Sequence, residues 1–327
     1  MTANPTGLAL GVDVGGTKIF GVVVDDQQRI LNELRIPTVQ GGMRDWGEAV
    51  TEEIAVVIHS LHHEAGLAIG SLPICVGVPG MVDAAGTLIY APNLQSATQA
   101  PMLTQLQRQF PDVAIRIEND ANCAAYCEFR AGAGRGHDDM TMITLGTGIG
   151  GGIIAGGRLF RGGRGFAGEF GHMVMDPKGP HCPCGASGCW ERYVSGSAVE
   201  RMTAEALIQG RLDTIVAQRA NKSVALTGEE VSAAALAGNR EARALLEPMA
   251  SWLARGIAVL ATVLDPTCVV IGGGLTDVMK LFLPEVRDLL PTLLEGGVLH
   301  PGIDVVPAFF GESAGAIGAS MLAREEG

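Results

Sequence analysis

The sequence predicts an α/β fold made of two similar mixed-sheet halves that form a cleft. Three observations predict it. β-branched runs flank a glycine turn at residues 13–18, the same strand, glycine turn, strand arrangement returns at residues 140–155, and helical stretches separate further short apolar strands between them. A repeat of this kind near half the chain reads as an internal duplication. The 327 residues suffice for about two domains and a large buried core.

Leu8 to Val14 reads as a buried strand, Gly15-Gly16 as a turn, and Ile19 to Asp25 as the returning strand of a hairpin. Arg29 to Thr38 adds a third strand. Trp46 to Glu64 carries Val50, Ile54, Val57, Ile58 and Leu61 on one stripe, which is helical spacing. Ile74 to Val78 and Val113 to Ile117 are short apolar strands, Met102 to Phe110 is a helix, and Asp120 to Ala131 is a helix following the Glu118-Asn119 bend. In the second half, Met140 to Leu145 and Ile149 to Ala155 flank Gly146-Thr147-Gly148. Residues Gly156 to Gly196 show neither period, are rich in Gly, Cys and Pro, and are too long for an idle connector, so they form a candidate binding segment. Helices begin at Ser197, Glu229 and Glu241, the last running to Leu264 before Asp265-Pro266 ends it. Cys268 to Ile271 is a strand meeting Gly272-Gly273-Gly274, and Ser313 to Glu325 is a helix.

Composition excludes several classes. Thirty-five acidic against 23 basic residues give a net charge of −12, with no basic patch to attract nucleic acid or an anionic membrane. Apolar windows such as Gly256 to Leu264 fall short of the ~18 to 20 residues of a membrane span. Asp13 interrupts the first apolar run, which has no basic lead-in, so it does not read as a signal peptide, and a cytoplasmic location is expected. Seven cysteines are an odd number for a disulfide framework, and Cys182, Cys184 and Cys189 crowd together, which points to metal in a reducing compartment. The 46 glycines are about twice the usual ~7% and imply many close backbone approaches.

The segment Asp13-Val14-Gly15-Gly16-Thr17-Lys18 can bring backbone N–H groups and the Thr17 hydroxyl to a phosphate, with Asp13 holding Mg²⁺ through water. It is not a Walker loop, because a strand rather than a helix follows; an ordinary glycine hairpin is the alternative. Gly146-Thr147-Gly148-Ile149-Gly150-Gly151 matches the dinucleotide pattern, but again a strand follows, so it reads as a second phosphate clamp. Gly272, Gly273 and Gly274 end a strand before a helix, where a purine or ribose can lie against bare backbone, or where a simple tight turn suffices.

His172, nine intervening residues, then Cys182-x-Cys184-x4-Cys189 supplies one imidazole and three thiolates, a closed tetrahedral set for structural Zn²⁺. Glu169 and Glu191 lie beside these ligands and can bind a hydroxyl-rich molecule. In Glu118-Asn119-Asp120-Ala121-Asn122, Asp120 or Asn119 is either a helix N-cap or a polar group at work, Asp120 being suited to general-base duty. His59, His62 and His63 read as a solvated helix face, Cys123 and Cys127 as core thiols, and Arg161 and Arg164 as solvated loop charges or, alternatively, phosphate contacts.

DVGGTK at Asp13, GVPGMVD at Gly77, APNL at Ala91, ENDAN at Glu118, LGTGIGGG at Leu145, GEFGH at Gly168 and CPCGASGCWE at Cys182 together resemble the ROK family, named for repressor, open reading frame and kinase, and within it the bacterial glucokinases. The resemblance covers essentially the whole chain. It implies a bilobal actin-like or hexokinase-like ATPase fold with a zinc loop at 168–192, a smaller lobe of residues 1–119 plus 313–327 and a larger one of 120–312. It implies phosphorylation of the 6-hydroxyl of glucose by ATP to give glucose 6-phosphate, with Mg²⁺ and structural Zn²⁺. ATP phosphates would lie between Asp13 to Lys18 (Gly15, Gly16 and Thr17 included) and Gly146 to Gly148, and adenosine near Gly272 to Gly274. Asp120 would be the base, and Asn93, Asn119, Asp120, Glu169, His172 and Glu191 would bind the sugar. One departure is Trp190, where relatives often carry an aliphatic residue behind Glu191. A homodimer or homotetramer is the family habit.

Within the same resemblance, kinases for mannose, fructose, N-acetylmannosamine or N-acetylglucosamine are the alternatives, since pocket walls set the choice among epimers. Sugar-sensing repressors carry an N-terminal helix-turn-helix module, and here only about seven residues precede the first strand, so that function is disfavoured.

Overall fold

Leu10, Val12 and Val14 are fully buried along β1 (Ala9–Val14), and Ile19, Val22, Val23 and Val24 along β2 (Lys18–Val24), which returns antiparallel with Val14 opposite Ile19. This computed structural model describes residues 7–39, 46–91, 98–219 and 225–325. β3 (Ile30–Pro37) alternates between half-buried and exposed residues, as an edge strand does. The stripe Val50, Ile54, Val57, Ile58 and Leu61 of α1 (Trp46–Glu64) is fully buried, and each such side chain contributes about 1.5–3 kcal/mol.

β4 (Ile74–Val78) lies parallel to β1, buried at all five positions. Then come β5 (Met81–Val82), β6 (Leu88–Tyr90), β7 (Thr98–Ala100), α2 (Met102–Gln109), β8 (Ile115–Asn119) and α3 (Asp120–Ala131). The first five-stranded sheet runs β3-β2-β1-β4-β8, and β5-β6-β7 form a small antiparallel sheet of their own.

The second sheet runs β11-β10-β9-β12-β13, built of β9 (Met140–Leu145), β10 (Ile149–Ala155), β11 (Arg158–Leu159), β12 (Cys268–Gly272) and β13 (Asp304–Pro307). Its order repeats that of the first sheet position for position, with β12 parallel to β9 as β4 is to β1. The expected duplication is therefore present in the topology. Helices α4 (Gly196–Ile208), α5 (Asp213–Gln218), α6 (Gly228–Leu236), α7 (Arg240–Leu246), α8 (Pro248–Leu264), α9 (Thr276–Lys280), α10 (Leu283–Leu293) and α11 (Ala314–Ala323) complete the chain.

The chain divides into two compact units. The first holds Met1–Asp138, Gly152–Gly168 and Phe309–Gly327; the second holds Asp139–Gly151 and Glu169–Ala308. The first division thus falls after Asp138 rather than at the 119/120 boundary expected from sequence, because α3 packs on α11, β4 and β8, while α11 covers β1 and β4. Within the first unit the fully buried Glu128 accepts the backbone N–H groups of Ala133 at 2.8 Å, Phe309 at 2.9 Å and Phe310 at 2.8 Å. It thereby ties together the segments adjoining both ends of that unit's chain crossings.

Several elements differ from the sequence reading. The strands β5, β6, β7 and β13 and the helices α5 and α10 were not expected, since most are too short to show a period and Pro291 lies inside α10. Pro248 separates the helix expected from Glu241 to Leu264 into α7 and α8. That stretch, Arg240–Leu264, is long and apolar enough to cross a membrane by length and composition, yet 61% of its most apolar window is buried inside the protein. His62 is also corrected. It is buried, not solvated, because it lies four residues beyond Ile58 on the core stripe, where its Nδ1 bonds the Ile58 carbonyl at 2.8 Å; His59 and His63 are exposed as expected.

Candidate active site and metal centre

The first unit brings Asp13, the Gly15 to Lys18 turn, Asn119 and Asp120 to the carboxyl ends of its parallel strands, where α/β sheets bind ligands. The turn is closed by the Gly15 N–H donating to the Lys18 carbonyl at 2.8 Å, and Thr38 fastens it by donating through Oγ1 to the Gly15 carbonyl at 2.7 Å. Burial pushes the Asp13 carboxyl up to about 6, with the Lys18 ammonium pulling the other way. Gly315, near the start of α11, faces this carboxylate. A Cβ there would lie 2.7 Å from Asp13 Cγ, so glycine is required by the close approach. Lys18 Nζ itself pairs with Glu312 at 2.5 Å, an exposed contact of small energy.

Asn119 is the N-cap of α3, its side chain accepting from the Asn122 N–H at 3.0 Å and donating to the Gly80 carbonyl at 3.0 Å. The capping reading of this motif thus belongs to Asn119; Asp120 is the first helical residue, accepting the Ala121 N–H at 2.8 Å.

In the second unit, Gly146-Thr147-Gly148 follows β9 and Gly272 to Gly274 run from the last residue of β12, again at the carboxyl ends of neighbouring parallel strands. The Leu275 N–H donates to the Leu145 carbonyl at 3.0 Å, which joins the two glycine turns. The carbonyls of Gly146 and Thr147 accept from the N–H groups of Gly196 and Ser197 at 2.7 and 3.1 Å, so the turn is also held to the start of α4. A Cβ at Gly148 would lie 2.5 Å from Glu191 Oε2; the absence of a side chain there gives Glu191 its place. Glu191 Oε1 in turn accepts from the Cys182 thiol at 3.0 Å and lies 3.9 Å from His172 Nδ1. Burial pushes the Glu169 carboxyl up, the Glu191 charge adding to the rise and His172 opposing it.

The donor atoms of His172, Cys182, Cys184 and Cys189 all lie within 4.8 Å of one another, the one such cluster among the described residues. Cys182 Sγ is 3.8 Å from His172 Nδ1 and Cys184 Sγ is 3.6 Å from Cys189 Sγ. Zinc bonds of about 2.0 Å to nitrogen and 2.3 Å to sulfur give tetrahedral edges of roughly 3.5 to 3.8 Å, so this donor set fits the ion. Two short 3₁₀ turns carry the loop, Phe170–His172 and Trp190–Arg192, and Gly185 takes a left-handed φ of 98° in the turn after Cys184. Without a cation, burial pushes the Cys182 and Cys189 thiols up. Burial also raises Cys184, but the Ala186 N–H and the two neighbouring thiols bring it below its ordinary value. Trp190 is fully buried behind Glu191. Its ring occupies the space a Cβ of Gly256 would fill, 2.0 Å away, and its Nε1 donates to the Trp252 carbonyl at 2.9 Å.

Asn93 lies outside the described residues. Cys123 and Cys127 are buried core thiols, both raised by burial. Arg164 is exposed, whereas Arg161 is half-buried and paired: its Nε donates to Glu118 Oε2 at 2.6 Å. That pair, and Gly315 against Asp13, escaped sequence reasoning because each joins positions far apart in the chain; no local signal marks them.

The ROK family profile matches residues 9–326. The glucokinase of Streptomyces coelicolor is 38% identical over 98% of each chain, and the N-acetylmannosamine kinase of Escherichia coli K12 is 32% identical over 97% of this chain and 98% of its own. A crystal structure of a ROK family glucokinase from Streptomyces griseus in complex with glucose and AMPPNP is 36% identical, covers 98% of this chain and 100% of its own, and superposes with a TM-score of 0.84. On these grounds the chain belongs to the ROK family.

Proposed function

We propose that the chain is a glucokinase that transfers the γ-phosphoryl group of ATP to the 6-hydroxyl of glucose, releasing ADP and glucose 6-phosphate. The observation that carries this reading is the full-length likeness to a glucokinase whose crystal structure holds glucose and AMPPNP, an ATP analogue. Asp120 takes the proton of the 6-hydroxyl as that oxygen attacks the γ-phosphorus. Asn93, Asn119, Glu169, His172 and Glu191 hydrogen-bond the sugar hydroxyls and orient them. The turns Gly15-Gly16-Thr17-Lys18 and Gly146-Thr147-Gly148, closed by their own Gly15 and Gly146 N–H groups, hold the phosphates, and Gly272 to Gly274 lie beside the adenosine.

Mg²⁺, when bound with the nucleotide, supplies charge neutralisation on the phosphates, and Asp13 is the residue that would hold it through water. The buried, cation-seeking carboxyl of Asp13 supports that role. His172, Cys182, Cys184 and Cys189 would hold a structural Zn²⁺ with no open position, so its part is to fix the loop that carries Glu169 and Glu191. His172 Nδ1 faces the thiols, which leaves Nε2 for a sugar hydroxyl. Seven unpaired thiols support a reducing, cytoplasmic setting, and a homodimer or homotetramer belongs to the same reading, which sedimentation tests. The 32% identity to an N-acetylmannosamine kinase supports a second reading, a kinase for another hexose or N-acetylhexosamine.

Asp120→Asn tests the mechanism. Loss of the base lowers kcat by about 10²- to 10⁴-fold while glucose still binds with a Kd close to wild type by calorimetry. An unchanged kcat would remove Asp120 from the base role.

A further inference from the structure

Asn119 and Asp120 occupy a turn from strand to helix, and something must hold that turn against the pull of substrate. Glu118, 6% exposed at the end of β8, accepts from the Asn119 N–H at 3.1 Å and from Asn122 Nδ2 at 2.9 Å through Oε1. Its other oxygen, Oε2, accepts from Arg161 Nε at 2.6 Å. Arg161 sits on the segment after β11, where its carbonyl accepts the Ala167 N–H at 3.1 Å, and the whole arrangement lies within the first unit. Arg161 Nη2 is buried without a hydrogen-bond partner among the described residues. An arginine kept only for solubility would keep that group in water; burying it unpaired costs about 1–3 kcal/mol. The cost is met here in a place where the guanidinium is the cation beside the buried Glu118 carboxylate.

We infer that Arg161 is a positioning residue for phosphoryl transfer: through Glu118 it holds the turn that presents Asn119 and Asp120. The inference rests on the kinase reading for its kinetic consequence, but the restraint on the turn is measurable without turnover. With Arg161 removed, Glu118 is left as a buried unpaired charge and turns outward, releasing the Asn119 N–H and the Asn122 amide. Slack of this kind at a base harms the transition state more than the bound ground state.

The test compares wild type with Arg161→Met, Arg161→Lys and Arg161→Ala by steady-state kinetics and by amide hydrogen exchange. In Arg161→Met, kcat with glucose falls at least tenfold while the KM values for glucose and ATP stay within threefold. Arg161→Lys recovers part of that loss, as does guanidinium added to Arg161→Ala. Exchange at Asn119, Ala121 and Asn122 quickens at least tenfold in the methionine variant, with the amides of β1 and β2 unchanged. A kcat for Arg161→Met within twofold of wild type overturns the inference, as do a lysine variant and a guanidinium arm with no recovery. Exchange that quickens uniformly through the unit also overturns it, since that is loss of stability alone. Absence of wild-type turnover with any hexose would instead refute the kinase reading, and the exchange measurement would still decide whether Arg161 restrains the turn.

Discussion

Replacing Gly148 by alanine tests in one step the proposed roles of Glu191 toward the sugar and of the Gly146 to Gly148 turn toward the nucleotide. The new Cβ would lie 2.5 Å from Glu191 Oε2 and 3.7 Å from Glu191 Cδ, while an ordinary contact begins near 3.4 Å, so the carboxylate must withdraw by about 0.9 Å. Oε2 is the far end of a flexible side chain, so the fold yields easily and stability changes by less than about 1 kcal/mol. The withdrawal matters for function because Glu191 Oε1 is held between Cys182 and His172, and the carboxylate cannot keep that bond and its place toward the sugar. A hydrogen bond from a neutral hydroxyl to a carboxylate is worth about 1.5–3 kcal/mol, which converts to roughly a 10- to 150-fold rise in the KM for glucose. The assay is ADP release with glucose varied at saturating ATP, alongside Gly146→Ala, where a Cβ meets nothing within 4 Å. The Gly146 variant keeps the glucose KM and changes, if anything, the KM for ATP. A Gly148→Ala enzyme with an unchanged glucose KM would refute the placement of Glu191 against the sugar.

Asp13→Asn gives a pH-dependent result. Because burial raises the folded carboxyl to about 6, the folded state binds the proton more tightly than the unfolded chain, so the nucleotide-free protein loses stability as pH rises from about 4 to about 6 and stays lowered above that. The full shift corresponds to about 3 kcal/mol, reduced to roughly 1–2 by the partial exposure of the side chain. The asparagine variant therefore melts above wild type at pH 7.5, the difference closes below pH 4, and turnover with MgATP is lost; equal melting at both pH values contradicts the reasoning. If His172, Cys182, Cys184 and Cys189 hold zinc as proposed, elemental analysis of purified protein is expected to find one zinc per chain. Stripping it with a chelator, or Cys184→Ser, lowers Tm and raises the glucose KM together, whereas metal-free protein with wild-type glucose affinity contradicts the loop-fixing role.

The sequence makes the candidate site legible where the arrangement is local. The glycine turns at Asp13 to Lys18 and Gly146 to Gly148 and the cluster of His172, Cys182, Cys184 and Cys189 follow from spacing alone, because residues close in the chain form them. Relations set by packing were not legible. Gly315 makes room for Asp13 from the other end of the chain, Gly256 makes room for the Trp190 ring, and Arg161 reaches back to Glu118. His62 was misread because histidine composition suggested solvent while its position in the 3.6-residue repeat placed it in the core. The small sheet of β5, β6 and β7 escaped because strands of two or three residues are too short to alternate.

Phosphoryl transfer by the wild-type chain, followed as ADP release with MgATP across hexoses and N-acetylhexosamines and with the product identified by its phosphorylated position, tests the central claim most directly. Glucose is expected to give the highest kcat/KM and glucose 6-phosphate as the product. Transfer to none of these sugars, or a preference for an N-acetylhexosamine, would contradict the assignment.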